Sequence, residues 1–213
     1  MATKAGEDLL SLSGVLTECF GKGSDFTVIV EEPSCDSPRS VRNSEAPVKC
    51  TEFKVWSVLL AQWSPVCEKM IRSESYAESQ AAQVVIKDFS AGAVEIFLRF
   101  MHSGTVGRFA IPLVEVVALA DKHQVKALHD ACLCFVRQEL KSRPAVACEV
   151  FASADRFLLA DSRTEALDRI FMNPGEALRK RPALDPELLE EILGVRLAVH
   201  VRVCASKNPP ELG

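Results

Sequence analysis

An α+β fold, a small mixed β-sheet flanked by helices and followed by an all-helical tail, follows from three observations. Short runs such as "SDFTVIV", "VKCTEF" and "AQVVIKDF" are rich in β-branched and aromatic residues, and turn signals bound them. Between and after them, apolar residues recur at helical spacing. Beyond Arg143-Pro144 the strand pattern stops and only helical stripes remain.

In chain order, Asp8 to Phe20 carries Leu9, Leu12, Leu16 and Phe20 on one stripe, widened by Leu10 and Val15, and Gly21 and Gly23 end it. "SDFTVIV" then reads as a buried strand between Gly23 and Pro33. The loop 31–49 holds three prolines and four serines in "EEPSCDSPRSVRNSEAP", and "VKCTEF" returns as a short strand. From Ser57 the period changes. Val58, Leu59 and Ala61 lead to Ser64-Pro65, an N-cap followed by proline at the first helical position. Val66, Cys67, Met70 and Ile71 line one face of the next short helix. "AQVVIKDF" is a strand, and Ser90 caps a helix with Val94, Phe97, Leu98 and Met101 inward, stopping at "HSGTV". Pro112–Lys122 and Val125–Leu140 are two further helices.

In the tail, Val146, Val150, Phe151, Ala154 and Phe157 make one stripe. Ser162 and Glu165 have the spacing of a capping box ahead of Ala166, Leu167 and Ile170. Asn173-Pro174-Gly175 interrupts, and Asp185-Pro186 starts a last helix through Leu188, Leu189, Ile192 and Leu193, with Gly194 as its stop. The last stretch, 197–213, is expected to be partly flexible.

The 213 residues suffice for one compact domain, or for one domain with a smaller satellite, and 48% hydrophobic with 25% charged residues is ordinary for a globular protein. A net charge of -4 and a pI near 5.7 argue against a broad nucleic-acid or anionic-membrane footprint. The basic run "LRKRPAL" reads as a solvated corner. No apolar run reaches the ~20 residues of a spanning helix. Glu7 and Asp8 fall where a signal peptide needs an apolar core. Cytoplasm or nucleus is the expected location.

Chemistry is sparse. The eight cysteines, at 19, 35, 50, 67, 132, 134, 148 and 204, form no CxxC pair. Cys67, Cys132, Cys134 and Cys148 fall within apolar helical patterns, as reduced thiols do. His102, His123, His129 and His200 show no metal-site spacing, and phosphate-loop, dinucleotide and nucleophile-elbow motifs are missing. The adjacent pairs Glu31-Glu32 and Glu190-Glu191 read as solvated carboxylates. The expectation is no enzyme, no catalytic residue, no metal and no cofactor.

A resemblance organises these pieces. "LLSLSGVLTECFGKGSDFTVIV" has the leading helix and Ser-Asp-apolar strand with which the BTB/POZ family opens, here with Asp25. "FKVWSVLLAQWSPVCEKMI" resembles that family's Phe-x-Ala-His-Lys-x-x-Leu-Ala-x-x-Ser-Pro-Val-Phe-x-x-Met-Phe signature through Phe53, Leu60, Ala61, Ser64, Pro65, Val66 and Met70. Trp56 and Ser57 stand in place of His-Lys, and Cys67 and Ile71 replace aromatics. "VVIKDFSAGAVEIFLRFMHSGTV" is similar to the family's helix and Tyr-Thr-Gly turn, with Gly104 as its glycine. "VVALADKHQVKALHDACLCFV" is similar to its Leu-Ala-Asp-Lys-Tyr helix pair through Ala120, Asp121 and Lys122. The resemblance covers about residues 9 to 140. The tail "AVACEVFASADRFLLADSRTEALDRIF" resembles the start of a BACK-type region in truncated form. The implied division is a BTB/POZ domain at 9–142 with the long loop 31–49, a BACK-like region at 143–196, and a tail at 197–213.

The resemblance implies recruitment. Its members typically form homodimers, which would place Leu9, Leu10, Leu12, Leu16 and Phe20 across a two-fold axis. Many are adaptors that hold a cullin scaffold of a ubiquitin ligase and a separate substrate protein. Adaptors with a short helical tail carry an apolar-x-Glu motif after the second signature helix, and "ESYAESQ" supplies Tyr76-Ala77-Glu78, with Met70 on the helix before it. The alternative is an oligomerisation or scaffold protein of transcriptional or channel-type assemblies, without a ubiquitin role. Neither kelch repeat, MATH domain nor zinc-finger spacing is seen in the sequence.

Overall fold

The computed structural model describes residues 12–33, 48–73, 75–106, 113–179 and 184–194. The chain divides into two compact units, Met1–Cys134 and Phe135–Gly213. Leu9, Leu10, most of the loop 31–49, Cys35, Cys204, His200 and the tail 197–213 lie outside the described residues.

In the first unit, α1 (Leu12–Glu18) precedes β1 (Phe26–Pro33) and β2 (Val48–Val55), which pair antiparallel with Val28 opposite Phe53. The helices α2 (Ser57–Trp63), α3 (Pro65–Arg72) and α4 (Ala77–Ala81) lead to β3 (Gln83–Ile86), which lies parallel to β1. The sheet order is therefore β2-β1-β3, a mixed sheet as the strand pattern predicts. Alternation decides its faces. Phe26, Val28 and Val30 of β1 are buried, with Val55 and Ile86 of the flanking strands, while Lys54, Glu52 and Val85 are exposed.

Helix α5 (Ala91–Ser103) is the central element. Beyond the expected stripe of Val94, Phe97, Leu98 and Met101, it also buries Ala93, Ile96, Phe100 and His102, so it is enclosed on nearly every side. Ser90 caps it as the sequence indicates, accepting from the Ala93 N–H at 3.2 Å. Two carboxylates add to that cap. Glu115, buried in α6 (Leu113–Lys122), accepts from the backbone N–H and the hydroxyl of Ser90, and Glu32 accepts from the Ala91 N–H at 3.0 Å. Negative groups at a helix N-terminus are favourable because the first N–H groups lack intrahelical partners. Glu32 is thus a structural acceptor, and Glu31 pairs with Lys87 at 3.0 Å, so both differ from the solvated pair read in the sequence. The other end of α5 stops at Gly104, whose φ of 70° suits glycine.

Ser64 joins α2 and α3 to the rest of the unit. Its Oγ accepts from the Cys67 N–H at 3.0 Å and donates to the His123 carbonyl at 2.6 Å, fully buried. The α6–α7 turn containing His123 closes as a Schellman motif, with Val125 N–H on Ala120 C=O and Gln124 N–H on Asp121 C=O. Gln124 takes the left-handed φ of 56° at the position usually held by glycine.

Helix α7 (Lys126–Ser142) carries the buried stripe Leu128, Cys132, Val136 and Leu140, and the division between the units falls within it. Cys134 is exposed, midway between Cys132 and Val136 and so off that stripe, and its placement in the apolar pattern is corrected.

The second unit packs α8 (Ala147–Arg156) on α9 (Ala160–Met172), followed by the single turn α10 (Pro174–Ala177) and a helix over 186–194. Phe151, Ala166, Ile170 and Ile192 are buried. Arg163 ties three parts together. It donates to Asp155 at 2.7 Å, pairs with Glu191, and lies 4.9 Å over the Phe151 ring. The hydrogen bond it donates to Asp155 is the main reason its pKa is raised. Glu191 is therefore engaged rather than simply solvated.

The expected capping box is absent: α9 begins three residues earlier, at Ala160, and Ser162 is buried within its first turn. The reason is the end of α8. Leu159 N–H bonds Ala154 C=O and Leu158 N–H bonds Asp155 C=O, with Leu158 at φ 56°, which reverses the chain before Ser162 is reached.

Two outcomes follow from the Ser64 junction. Ser64→Ala should lower stability in urea by about 2 kcal/mol, because it strands a buried N–H and a buried carbonyl. The second concerns pH. Burial, aided by Lys122, pushes the His123 pKa down to about 4. Between 6.5 and about 4 the unfolded chain therefore binds a proton that the folded chain refuses. Stability should be full above pH 6.5 and fall by about 3 kcal/mol across that window from this residue. Urea melts from pH 7 to 4 on the wild type and His123→Gln check it, the variant having the shallower slope.

Candidate partner-docking surface

The segment joining α3 to β3 holds the residues expected to meet a partner. Helix α3 is fixed by the Ser64 cap and by proline at its first position. Cys67 is buried, while Met70 and Ile71 are half-buried. These three side chains border an apolar cavity of about 20 Å³ whose other walls include Val28, Val84, Phe97 and His123. Met70 thus lines a cavity while staying half-buried, as Glu78 also is, and Tyr76 is exposed.

Tyr76 is 45% exposed and occupies the N-cap position of α4. Glu78 is half-buried in the first turn of α4, so this polar stretch is a short helix rather than a plain loop. That helix buries none of its residues, has no side-chain cap, and ends at Ala82 with φ 49°. A large ring is therefore held at the surface by a minimal element seated between a well-anchored helix and a strand. An exposed aromatic beside a carboxylate can fill an apolar slot and meet a donor at its edge.

Elsewhere in the same unit, Phe20 meets the His102 ring edge-on at 5.0 Å, and Arg99 lies 4.7 Å over its face. Phe20 is thus engaged by α5 of its own chain. Leu16 is half-buried, Leu12 lies in α1, and Val15 is exposed. The Nε2 of buried His102 lacks a hydrogen-bond partner among the described residues, and burial lowers its pKa.

Most of the signature residues have structural work. Asp25 accepts from the Ser57 N–H at 2.7 Å and hydroxyl at 2.6 Å, so it caps α2 from outside the helix. The Ser57 hydroxyl is the first cause holding its carboxyl below the ordinary value. Trp56 donates through Nε1 to the Lys22 carbonyl at 3.0 Å and covers Gly23, where a Cβ would lie 3.3 Å from the indole. Leu60 and Ala120 are buried, Phe53 and Val66 are half-buried, and Pro65 opens α3. Asp121 is exposed, and Lys122 pairs with Asp88 at 3.0 Å and lies 5.3 Å over Phe89.

The thiol of Cys67 is 3.6 Å from His123 Nδ1, the contact that most resembles a nucleophile and its base. Burial raises the thiol and lowers the imidazole, so both are held neutral. That is the reverse of an activated thiolate. Among the described residues no group of three or more His, Cys, Asp or Glu could hold a metal ion, and no helix is long and apolar enough to cross a membrane. The residues that sequence reasoning missed are Glu115, Glu32 and Arg163. A lone acid inside "LVEVVALA" was the available signal for Glu115.

The first unit is thus a small mixed sheet beside an enclosed central helix, with an exposed aromatic and a half-buried carboxylate on a short connection. Residues 45–140 match the family model of the BTB/POZ domain, a non-catalytic interaction module, so the chain holds a BTB/POZ domain followed by a helical region. The chain is similar to BTB and MATH domain-containing protein 42 of Caenorhabditis elegans, 26% identical over 153 residues, covering 66% of this chain and 37% of that protein. It is also similar to Kelch-like protein 40a of Danio rerio, 24% identical over 93 residues, covering 44% of this chain and 15% of that protein. The chain thus spans well under half the length of both relatives.

Proposed function

We propose that this chain is a homodimerising adaptor that recruits a cullin-type ubiquitin ligase scaffold through Tyr76 and Glu78, acting in the cytoplasm or nucleus. In this reading 9–142 is the BTB/POZ domain, 143–196 a BACK-like region and 197–213 a tail, and the protein that it delivers binds elsewhere. The observation that carries the proposal is the placement of an exposed tyrosine and a half-buried glutamate on α4, directly after the signature helix. That is where the resemblance puts an adaptor's apolar-x-Glu motif.

The dimer is tested first. Light scattering at micromolar concentration should give twice 23.3 kDa, and a mass of 23.3 kDa that does not change with concentration would reject it.

The docking site is tested by calorimetry against a cullin N-terminal domain. Tyr76→Ala with Glu78→Ala should weaken binding roughly thirtyfold, about 2 kcal/mol, as truncating a central aromatic anchor does. The same double change should alter folding stability by only about 0.5 kcal/mol, because α4 buries nothing. Equal affinities with an intact fold reject the site; no binding by the wild type rejects the adaptor reading.

A further inference from the structure

We propose that Ser75 is a phosphate acceptor for an acid-directed protein kinase, and that phosphate at this position switches off docking through Tyr76. The acceptor assignment stands by itself; the switch rests on the docking reading above.

Ser75 is exposed in the turn between α3 and α4, a turn closed by the Tyr76 N–H on the Ser73 carbonyl at 3.1 Å. The third residue after it is Glu78. A kinase that reads an acid at that position uses basic side chains to hold the carboxylate. The same rule passes over the neighbouring serines, since Tyr76 stands three residues after Ser73 and Ala82 three after Ser79.

A kinase cleft needs an extended peptide, and the structure supplies one at low cost. Helix α4 has five residues, buries none of them, lacks a side-chain N-cap and ends on an alanine with φ 49°. An isolated helix this short is unfavourable in water, and a left-handed alanine opposes it further. Local opening of this connection leaves α3, with its Ser64 cap, and β3, with its pairing to β1, in place.

In the transfer, the Ser75 Oγ attacks the γ-phosphorus of ATP bound to the kinase. The new O–P bond forms as the bond to the β-phosphate oxygen breaks, ADP leaves, and the serine proton passes to the kinase's base. The product adds a charge of about -1.5 to -2 immediately before Tyr76. Docking of the ring would have to dehydrate that phosphate, and Glu78 of the same sign lies three residues on. Both effects oppose the complex.

The test treats the full chain with casein kinase 2 and ATP, maps phosphate by mass spectrometry, and measures affinity for the cullin N-terminal domain. One phosphate on Ser75 is expected, lost in Ser75→Ala and slowed in Glu78→Gln, with binding weakened about tenfold or more in the modified wild type. Unmodified Ser75→Ala should bind as the wild type does. Absence of phosphate from Ser75 overturns the acceptor assignment. Phosphate on Ser75 with unchanged affinity overturns the switch and leaves the docking site standing. Failure of the unmodified chain to bind overturns docking and switch together, and phosphate uptake then decides the acceptor assignment by itself.

Discussion

The hydroxyl of Ser64 lies where two chain reversals meet, and much of the first unit depends on it. One lone pair caps α3 through Cys67, and its proton goes to the carbonyl of His123 in the α6–α7 turn. Because the group is fully buried, water cannot replace either partner. The bond therefore sets the distance between the α2–α3 hairpin and the turn that launches α7. His123 then fills the space behind it, with its ring 5.2 Å from Phe97 and its Nδ1 3.6 Å from Cys67. A Ser-Pro pair that looks like an ordinary helix start is also a long-range clamp.

Around this clamp the unit is rigid where it is enclosed and lightly held where it meets solvent. Helix α5 is buried along most of its length, and its N-terminus draws acceptors from Ser90, Glu115 and Glu32, three separate parts of the chain. Helix α4 has none of these supports. The contrast suits an interaction module: a fixed frame holds both ends of a short connection whose side chains face outward. Glu115, buried in this frame, is matched to Ser90, whereas Nε2 of buried His102 has no partner among the described residues, and Cys67 and His123 are kept uncharged by burial.

Local signals were sufficient wherever a residue acts on its own neighbourhood. Ser64 and Ser90 were legible as caps, Gly104 as a stop and β1 as a buried strand, because capping, left-handed backbone and alternation are all short-range effects. They misled where a turn lacks its usual residue. The α8–α9 reversal is closed by backbone bonds through Leu158, which has no turn propensity, so the Ser162-Glu165 spacing suggested a helix start three residues too late. Along α3 and α4 the sequence did not show that Met70 lines a cavity while Tyr76 is exposed, because that difference depends on what packs against each side chain.

The sequence by itself determined the order and type of most elements, though not the short helix α4, and carried the resemblance over about 9 to 140. These depend on periodicity, caps and composition, all of which are written along the chain. Only the tertiary structure decided that Glu115 and Glu32 converge on one helix end, that Asp25 reaches across to Ser57, and that Arg163 joins Asp155 to Glu191. Those partners lie 25 or more residues apart, apart from Arg163 and Asp155 at eight. No local pattern specifies such a bond; it forms because packing of apolar faces brings the two groups to one place and then excludes the water that would otherwise satisfy them.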